Sequence, residues 1–486
     1  MSAITSAESS FPAIAERTQL LQGAPRRSNC RWALIAFALV TVALLWSPAS
    51  NVLLYIFPVM TVLLASYLYR NNLADYVTLV CWLWFLTPLL RRMVDYHVGF
   101  ARPALILLAP PLALCPPAIW LFAGWRKVLR PYTAPMLCVL ATYVYAAFMG
   151  VLNFDPRFVF QDLLTWAAPV IFAFTLIHHR DQAPEMFRAL EKAFIYGLLA
   201  VSVYGIAQFF LMPAWDAFWM GRITMDSIGN PRPTEVRVFS SMNAPQTLAS
   251  FLATGLIAAF NSRFRIRFVA IPVGLLCLAL SLARSGWVAA AAGILYLLWK
   301  LPQRQRFQLV IAGLVAAVAL IFALQNPDLE KVLSSRFDSL SDVRKDGSFM
   351  DRVYGYQLLF GGFLNNPFGL GMGVTPAVEE AKFVIRDGWN SDLQDSTVAT
   401  VMTTMGLAGG LVLVFSFFPI ARKVFRGASV DIVATHTMQA VFIAMMAEAG
   451  LDAVVATPTG FLTWTSIGFC MALSIADEEF NLRWKR

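Results

Sequence analysis

The stretch QNPDLEKVLSSRFDSLSDVRKDGSFMDRVYGY, residues 325–356, decides the organisation of this chain of 486 residues. It opens a polar segment, 325–396, that closes with NSDLQDS at 390–396 and separates two long apolar regions. A loop of this length in a compact protein is usually functional or disordered. Its aromatic residues and Gly-Pro content argue against disorder. The segment therefore predicts a long functional loop held between membrane helices.

The composition indicates a membrane protein. Hydrophobic residues make up 58% of the chain and charged residues only 14%, whereas a soluble domain is roughly a quarter charged. This excludes a water-soluble enzyme. The formal net charge is +9, but no soluble basic domain is visible, so we expect no nucleic-acid partner. The six cysteines form no CxxC pair and the four histidines do not cluster, so we expect no disulfide framework, metal site or cofactor.

Apolar runs long enough to cross a bilayer fill most of the chain. Each span needs roughly 20 mostly apolar residues. The candidate runs are 32–48, 52–69, 73–90, 103–123, 132–151, 159–177, 193–212, 244–262, 266–282, 286–299, 308–324, 397–420, 435–455 and 459–476. We therefore predict an all-α polytopic membrane protein with about 12–14 transmembrane helices and one long outer loop that contains short helices.

The basic residues set the orientation. With the N-terminus inside, the short inner loops are basic, as the positive-inside rule requires. The main clusters are Arg126, Lys127 and Arg130; Arg263, Arg265 and Arg267; Lys300, Arg304 and Arg306; and Arg422, Lys423 and Arg426. This predicts cytoplasmic tails at 1–30 and 477–486. Between them we expect N-terminal spans at 31–212, core spans with arginine-bearing outer segments at 213–324, the outer loop at 325–396 and C-terminal spans at 397–476.

Arginines also fall on the outer side, against this rule, and four of them are candidate site residues: Arg91, Arg237, Arg284 and Arg352. Arg284 lies in the tight turn ARSGW at 283–287, near hydrocarbon depth, where a charge is costly and usually functional. The planar guanidinium suits bidentate binding of phosphate or carboxylate. The alternative for the loop arginines is that long outer segments escape the charge rule. The arrangement predicts an anionic ligand at the outer face.

Polar residues at the outer ends of spans are candidates either for a site or for helix caps. Asp395 precedes the span that begins at 397, where it is an N-cap or a functional group. Asn243 is expected to cap the span at 244–262, with Pro245 in its first turn. Glu448 and Asp452 stand one turn apart, where intramembrane acids are usually paired or functional, and an arginine would be a suitable partner.

The glycines of GLGMG at 369–373 have two interpretations. Glycine allows a close backbone approach to a ligand, and it equally serves in tight turns. The segment is not a Walker A loop, because no Gly-Lys-Ser or Gly-Lys-Thr follows.

Four elements along residues 230–410 resemble the bacterial O-antigen ligase and O-antigen polymerase family, the membrane glycosyltransferases of lipid-linked glycans. They are RVFSSMNAPQTLA at 237–249, LSLARSGW at 280–287, a loop motif from RF at 336–337 through NP at 366–367 to GLGMG at 369–373, and the stretch from Asp395 to Gly409. Family ligases have a histidine where this chain has Asp395, eleven residues before GLAG at 406–409. An aspartate there is more similar to the polymerase members.

The resemblance implies a polymerase that joins undecaprenyl-diphosphate-linked oligosaccharide repeat units, for O-antigen or exopolysaccharide, on the periplasmic face of the bacterial inner membrane. It implies a metal-independent glycosyltransferase in which Asp395, Arg284 and Arg352 are catalytic. Arg237 and Arg91 would join Arg284 and Arg352 in binding the diphosphate.

The resemblance also bears on sugars and partners. Tyr354 and Tyr356 would contact the sugar rings, with an interfacial aromatic belt as an equal alternative. Besides the bilayer and the lipid-linked donor, the expected partners are a chain-length regulator and other polysaccharide-assembly proteins. Two other functions stay open: an O-antigen ligase that moves the glycan to a lipid or protein acceptor, and a transporter or flippase for the same lipid. A transporter would show two related halves around a mid-membrane site, and no internal repeat is visible.

Overall fold

The computed structural model describes residues 27–100, 104–123, 134–223, 228–303, 306–307, 313, 367–374, 396–426, 431–455 and 457–484. Within these ranges the regular structure is helical, apart from one isolated bridge between Gly229 and Val236. This confirms the prediction of an all-α protein. The helices are α1 (Arg27–Leu45), α2 (Leu53–Asn71), α3 (Leu73–Val98), α4 (Ala109–Ala113), α5 (Cys115–Ala123), α6 (Ala134–Asn153), α7 (Pro156–His178), α8 (Ala183–Leu211), α9 (Ala214–Met220), α10 (Pro245–Asn261), α11 (Arg267–Leu280), α12 (Arg284–Lys300), α13 (Thr397–Val424), α14 (Ile432–Glu448) and α15 (Thr457–Trp484).

Seven of the described helices are long and apolar enough to cross a membrane, which confirms the prediction of a polytopic membrane protein. They are α2, α3, α6, α7, α8, α13 and α15, and α1, α11 and α14 are shorter apolar helices. The helices α10 and α12, of 17 residues each, pack against each other and against α14. The predicted span at 308–324 and the short helices predicted in the long loop lie outside the described residues, apart from residue 313 and the segment 367–374.

The run at 103–123 does not form the single span that was predicted. It is divided into a 3-10 turn at Leu105–Leu108 and the short helices α4 and α5. The reason is the proline pairs at 110–111 and 116–117, since proline lacks an amide donor and disfavours helical geometry in the residue before it.

Helix α15 lies at the centre of the packing. Of its apolar window, 94% is buried, compared with 39% for the windows of α2 and α6. It packs against α7, α13 and α14, and its Trp464 side chain is completely enclosed. The helix also continues to Trp484, beyond the predicted span end at 476, so part of the expected tail is helical.

The two ends of the bundle differ in their chemistry. At one end, Arg180 Nη2 lies 2.7 Å from Glu479 Oε1 and Lys423 Nζ lies 2.5 Å from Glu478 Oε1. These pairs tie the corner between α7 and α8, and the end of α13, to α15. We call this the basal end. We call the other end the site end, where α3, α8, α11 and α14 finish and α10, α12, α13 and α15 begin.

Candidate functional site

A buried arginine holds the segment 236–243, which leads into α10 at the site end. The Arg92 side chain is completely buried. Its Nη1 donates to Met242 O over 2.8 Å, and its Nη2 donates to Ser240 O. Its Nε lies 3.2 Å from Asp216 Oδ1. The guanidinium also lies 4.7 Å from the centre of the Phe239 ring, so Arg92 fixes both the backbone and one side chain of this segment.

The Asp216 carboxylate is held by further donors. Its Oδ2 accepts hydrogen bonds from Tyr204 Oη at 2.7 Å and from Gln208 Nε2 at 2.6 Å. Gln208 Oε1 in turn accepts from the amides of Phe239 and Ser240. The ion pair and the segment therefore form one connected network between α3, α8 and α9, in which the buried charges are compensated.

Ser240 shows how firmly this network holds the backbone. It has a φ of 49°, a left-handed conformation that costs a non-glycine residue energy unless its surroundings fix it. The Ser240 hydroxyl donates to Val201 O over 2.6 Å, and its amide and carbonyl bind Gln208 and Arg92. This network was not predicted from the sequence. Its one local signal was Asp216, the single charged residue of α9, since Arg92 stands among other charged residues of α3.

Arg91, a predicted diphosphate ligand, has a partner on its own helix. Its Nε lies 3.2 Å from Asp95 Oδ2, one turn later along α3. The guanidinium also lies 5.1 Å from the centre of the Phe100 ring. Because the Asp95 side chain is completely buried, this pair contributes to the compensated charges of α3.

Arg237 lies against the hairpin that carries Arg284. Its Nε donates to Ser281 O over 3.4 Å and its Nη2 to Leu282 O over 3.3 Å. Arg284 follows two residues after Leu282 as the first residue of α12. Two arginines that are 47 positions apart in the sequence are thus held on one short turn.

Close helix packing sets the position of that hairpin. A Cβ atom added to Gly286 would lie 2.3 Å from Ala249 Cβ, so α12 approaches α10 as closely as a glycine permits. The Trp287 indole donates to Leu278 O over 3.1 Å and joins the two arms of the hairpin. Arg284 therefore begins a helix that rests on the first turns of α10.

Asn243 does not cap α10, contrary to the prediction. The N-cap is Ala244, which is extended, and Pro245 is the first helical residue. The reason lies in the proline, which favours the first helical position and keeps the residue before it extended. Asn243 Oδ1 is enclosed and has no hydrogen-bond partner within the described ranges.

The beginning of α13 excludes the interpretation of Asp395 as the N-cap of this helix. Ser396 is the N-cap of this helix, and its Oγ accepts a hydrogen bond from the Ala399 amide at 3.1 Å. The cap position is therefore filled by the neighbour of Asp395. Asp395 itself lies outside the described residues, as do Arg352, Tyr354 and Tyr356.

Thr397 joins the end of the long loop to the turn after α14. Its amide donates to Ala449 O over 3.0 Å and its hydroxyl to Asp452 O over 2.8 Å. The Asp452 carboxylate accepts hydrogen bonds from Ser250 of α10 and Thr459 of α15. The first turns of α10, α13 and α15 and the end of α14 thus come together around Thr397, which follows Asp395 by two positions.

The glycines at 369–373 bring the loop backbone against helices. Gly369 and Gly371 have φ values of 79° and 92°. A Cβ atom would lie 2.4 Å from Gly406 N at the first position and 2.0 Å from Gly150 N at the second. Gly406 has a non-helical φ of 61° that kinks α13. The close approach that the structure shows is to the backbone of α6 and α13, and the predicted approach to a ligand stays a prediction.

The segment 367–374 has its backbone groups satisfied at this depth. The amides of Leu370 and Gly371 donate to Thr403 O and Thr404 O, carbonyls near the kink in α13. The Gly373 amide donates to Asp162 Oδ2 of α7 over 2.7 Å. Irregular backbone is tolerated between membrane helices where such bonds replace water. The segment 367–374 is therefore anchored inside the helix bundle.

A protein-family model matches the region of the chain that contains the Arg284 hairpin. Residues 268–414 match the family model described as O-antigen ligase. The matched range includes Arg284, Arg352 and Asp395, and Arg91 and Arg237 precede it. No curated protein matches the chain. Within the described ranges, no three His, Cys, Asp or Glu side chains come together as a metal site.

Proposed function

We propose that this chain, whose residues 268–414 match the family model described as O-antigen ligase, is a polymerase. In this proposal it joins oligosaccharide repeat units carried on undecaprenyl diphosphate, at the periplasmic face of the inner membrane. The site end of the bundle faces the periplasm, and both termini are cytoplasmic.

The contact of Arg237 with the Arg284 hairpin carries the proposal. Transfer breaks the bond between the anomeric carbon and a diphosphate oxygen, and negative charge develops on that oxygen. Fixed cations aimed at the developing charge would supply the largest catalytic contribution. Arg237 and Arg284 form the proposed diphosphate clamp, to which the long loop adds Arg352. Arg91 joins it only by leaving Asp95, so we assign it a secondary role.

Asp395 is the proposed group that receives or orients the acceptor hydroxyl. It immediately precedes Ser396, which is buried, and Thr397 is fixed on the turn that carries Asp452. An aspartate is a weak base in water, and removal from water raises its basicity. Tyr354 and Tyr356 are proposed to stack on sugar rings.

Polymerase and ligase differ in the acceptor rather than in the chemistry at the donor. The aspartate at 395, in place of the histidine of family ligases, favours the polymerase. The matching family model is described as O-antigen ligase, which supports transfer to a lipid or protein acceptor equally well.

A product assay separates these functions. Purified full-length protein in liposomes would receive a lipid-diphosphate oligosaccharide and, in a parallel reaction, a second glycolipid acceptor. Lengthening of the glycan on its original lipid is the expected result. Transfer to the second acceptor would replace the polymerase by a ligase, and movement of intact donor between leaflets without a new glycosidic bond would replace it by a transporter. A chain-length regulator, added as a purified partner, should narrow the length distribution of a polymerase.

A further inference from the structure

Glu448, the last residue of α14, is a buried carboxyl whose oxygens make no hydrogen bond of normal geometry to a described residue. Its side chain is 0% exposed, and neither Oε1 nor Oε2 has a hydrogen-bond partner in the part of the chain that the structure describes. The arginine partner expected for it is absent from those residues. The polar groups that face it are the Ser250 hydroxyl and the Asp452 carboxylate. An isolated carboxylate in such surroundings costs several kcal/mol.

Asp452 occupies the opposite situation. It is partly exposed, in the turn after α14. Its Oδ2 accepts from Ser250 Oγ at 3.3 Å and from Thr459 Oγ1 at 3.2 Å, and its Oδ1 accepts from the Ala453 amide at 2.8 Å. These donors stabilise a negative charge on Asp452. Two neighbouring carboxyl groups of this kind do not both ionise, so the pair retains one proton, and the enclosed Glu448 is the member that holds it.

Helix packing places this pair at the level of the arginine hairpin. A Cβ atom on Gly293 of α12 would lie 3.0 Å from Ala440 O of α14. Gly286 on α12 and Glu448 on α14 each lie about two helical turns from that contact, towards the site end. The two residues are therefore at a similar level of the bundle. Gly286 rests on Ala249, the residue before Ser250. The carboxyl pair is thus on the same side of the bundle as the turn that begins α12.

We infer that Asp452 is the catalytic base of the transfer and that Glu448 is a protonated positioning residue behind it, an inference that rests on the proposed function. The acceptor hydroxyl oxygen forms a bond to the anomeric carbon while the bond from that carbon to the diphosphate oxygen breaks. The electron pair of the broken bond leaves on the diphosphate beside the arginines. The proton of the hydroxyl passes to Asp452. Asp395, two residues before Thr397 in the sequence, then orients the acceptor in this proposal.

In this proposal Glu448 donates its proton to the Ser250 hydroxyl as the acceptor binds, a bond that is not formed in the structure. Ser250 in turn donates to the Asp452 carboxylate, so Glu448 acts through Asp452. In the described residues, Asp452 is the titratable group that faces Glu448. The other elements packed around the pair contribute the hydroxyls of Ser250, Thr397 and Thr459, and α12 begins with Arg284 at the same end. If a substitution of Glu448 changes how kcat depends on pH, the change would therefore reflect the protonation of Asp452.

The kinetic test uses full-length protein in liposomes with a lipid-diphosphate oligosaccharide, measured across the pH range. Asp452→Asn should lower kcat at least about a hundredfold with little change in KM, the size of a lost general base, and Asp452→Glu should recover part of it. Glu448→Met, which fills the space without a donor, should move the acidic limb of the kcat profile upward by about one pH unit. Glu448→Gln, whose amide still donates, should lower kcat about threefold and leave that limb in place.

Asp155→Asn is the matched control, since this exposed acid caps α7 at the same end and asparagine also caps. It should leave kcat and the pH profile unchanged. Asp452→Asn with more than about a third of the wild-type kcat would overturn the assignment of the base. An unshifted acidic limb in Glu448→Met would overturn the role of Glu448.

A spectroscopic measurement keeps this inference separate from the proposed function. A protonated, enclosed carboxyl has an infrared C=O stretch that Glu448→Gln should remove from the wild-type spectrum. If wild-type protein forms no glycosidic bond but loses this band on substitution, the proposed transfer and the base role of Asp452 fail, and the proton on Glu448 stands. If the band persists in Glu448→Gln, the protonated pair is wrong whatever the wild-type protein catalyses.

Discussion

Two completely buried ionisable residues at the site end, Arg92 and Glu448, differ in the partners that the fold gives them. Two backbone carbonyls and the Asp216 carboxylate surround the Arg92 guanidinium. Glu448 is as deeply buried, yet its carboxyl oxygens make no hydrogen bond to any described residue. Because a buried ion is stable only when it is paired and hydrogen-bonded, the two residues cannot serve the same purpose.

This difference in partners distinguishes Arg92, which has a structural role, from Glu448, for which we propose a functional role. Two partners of Arg92 are carbonyls of the segment that carries Arg237, and the third is the Asp216 carboxylate of α9. Arg92 therefore holds that segment in place. Glu448 holds no backbone through its carboxyl. Its enclosed position instead favours a neutral acid, a state that responds to a neighbouring charge and can influence a reaction.

Removal of Arg92 should have the largest effect on stability. Arg92→Met leaves the buried Asp216 carboxylate without its cation, and the loss of one partner of a buried ion pair costs about 3–5 kcal/mol. Glu448→Met removes an uncompensated group and should cost less than about 1 kcal/mol. Chemical unfolding of both variants in lipid would measure the two free energies.

The double variant Arg92→Met with Asp216→Leu is the control for this prediction. Replacing both partners by apolar groups removes the uncompensated charge, so it should recover most of the lost free energy of unfolding. Equal free energies of unfolding for Arg92→Met and Glu448→Met would contradict the prediction that only Arg92 belongs to a stabilising buried ion pair.

Arg284→Ala should reduce catalysis rather than stability. Arg284 is partly exposed at the first position of α12, unlike Arg92, and its charge is proposed to meet the diphosphate only when substrate binds. Loss of one such fixed donor should lower kcat by about 10²–10³. Arg284→Lys should retain part of the rate, since lysine keeps the charge but loses the planar fork. Initial rates with the lipid-linked donor measure both effects.

Arg232→Ala provides the matched comparison, because Arg232 is exposed in the segment that leads to Arg237. It should leave kcat within about twofold of wild type, as expected for a screened surface charge. A similar loss in Arg232→Ala and Arg284→Ala would mean that overall positive charge, rather than the hairpin, determines the rate.

The sequence predicted the helical spans well because hydrocarbon imposes a strict length and polarity on them. It failed at 103–123, where two proline pairs interrupt an apolar run, and this failure was physically foreseeable. The cap of α10 was also foreseeable, since Pro245 favours Ala244 as the residue before the helix.

The contacts of the candidate site depend on tertiary packing and could not be read from local patterns. No spacing in the sequence encodes the bond from Arg237 to Ser281 O, which requires α11 to end beside the segment 236–238. The glycines at 369–373 suggested either a close approach to a ligand or tight turns, and only the packing shows their approach to α6 and α13. The acids Glu448 and Asp452 were recognisable as unusual, whereas their partners were not.

Gly371→Ala tests whether backbone compensation is as important as charge compensation. Like Arg92, the segment 367–374 has its buried polar groups bonded, and a Cβ at this position would meet Gly150 N at 2.0 Å. With a φ of 92°, an alanine should cost at least about 1–3 kcal/mol of local stability. Faster proteolysis within 325–396 would report release of the anchor. Gly410→Ala, where a Cβ would make an ordinary contact at 3.4 Å, should leave the proteolysis rate unchanged, and equal rates for both variants would show that the segment is not an anchor.

A half-buried group should show the smallest effect, and His179 at the basal end is such a group. Burial, assisted by the neighbouring His178, lowers the pKa of His179 from 6.5 to about 4, and its Nε2 lies 3.1 Å from Tyr69 Oη. His179 therefore binds a proton below pH 6.5 in the unfolded chain, but only below about pH 4 in the folded protein. Stability should fall as the pH drops through this window, by about 1 kcal/mol after allowance for partial exposure.

His179→Gln should flatten that slope of unfolding free energy against pH, because glutamine does not titrate. His97→Gln, which replaces an exposed histidine at the site end, is the matched comparison. The turnover profile at the site end should be the same in both variants, since the basal histidine touches none of the groups proposed to act there. A shift of the kcat profile in His179→Gln would contradict the separation of the two ends, because a charge at the base would then reach the carboxyl pair of Glu448 and Asp452.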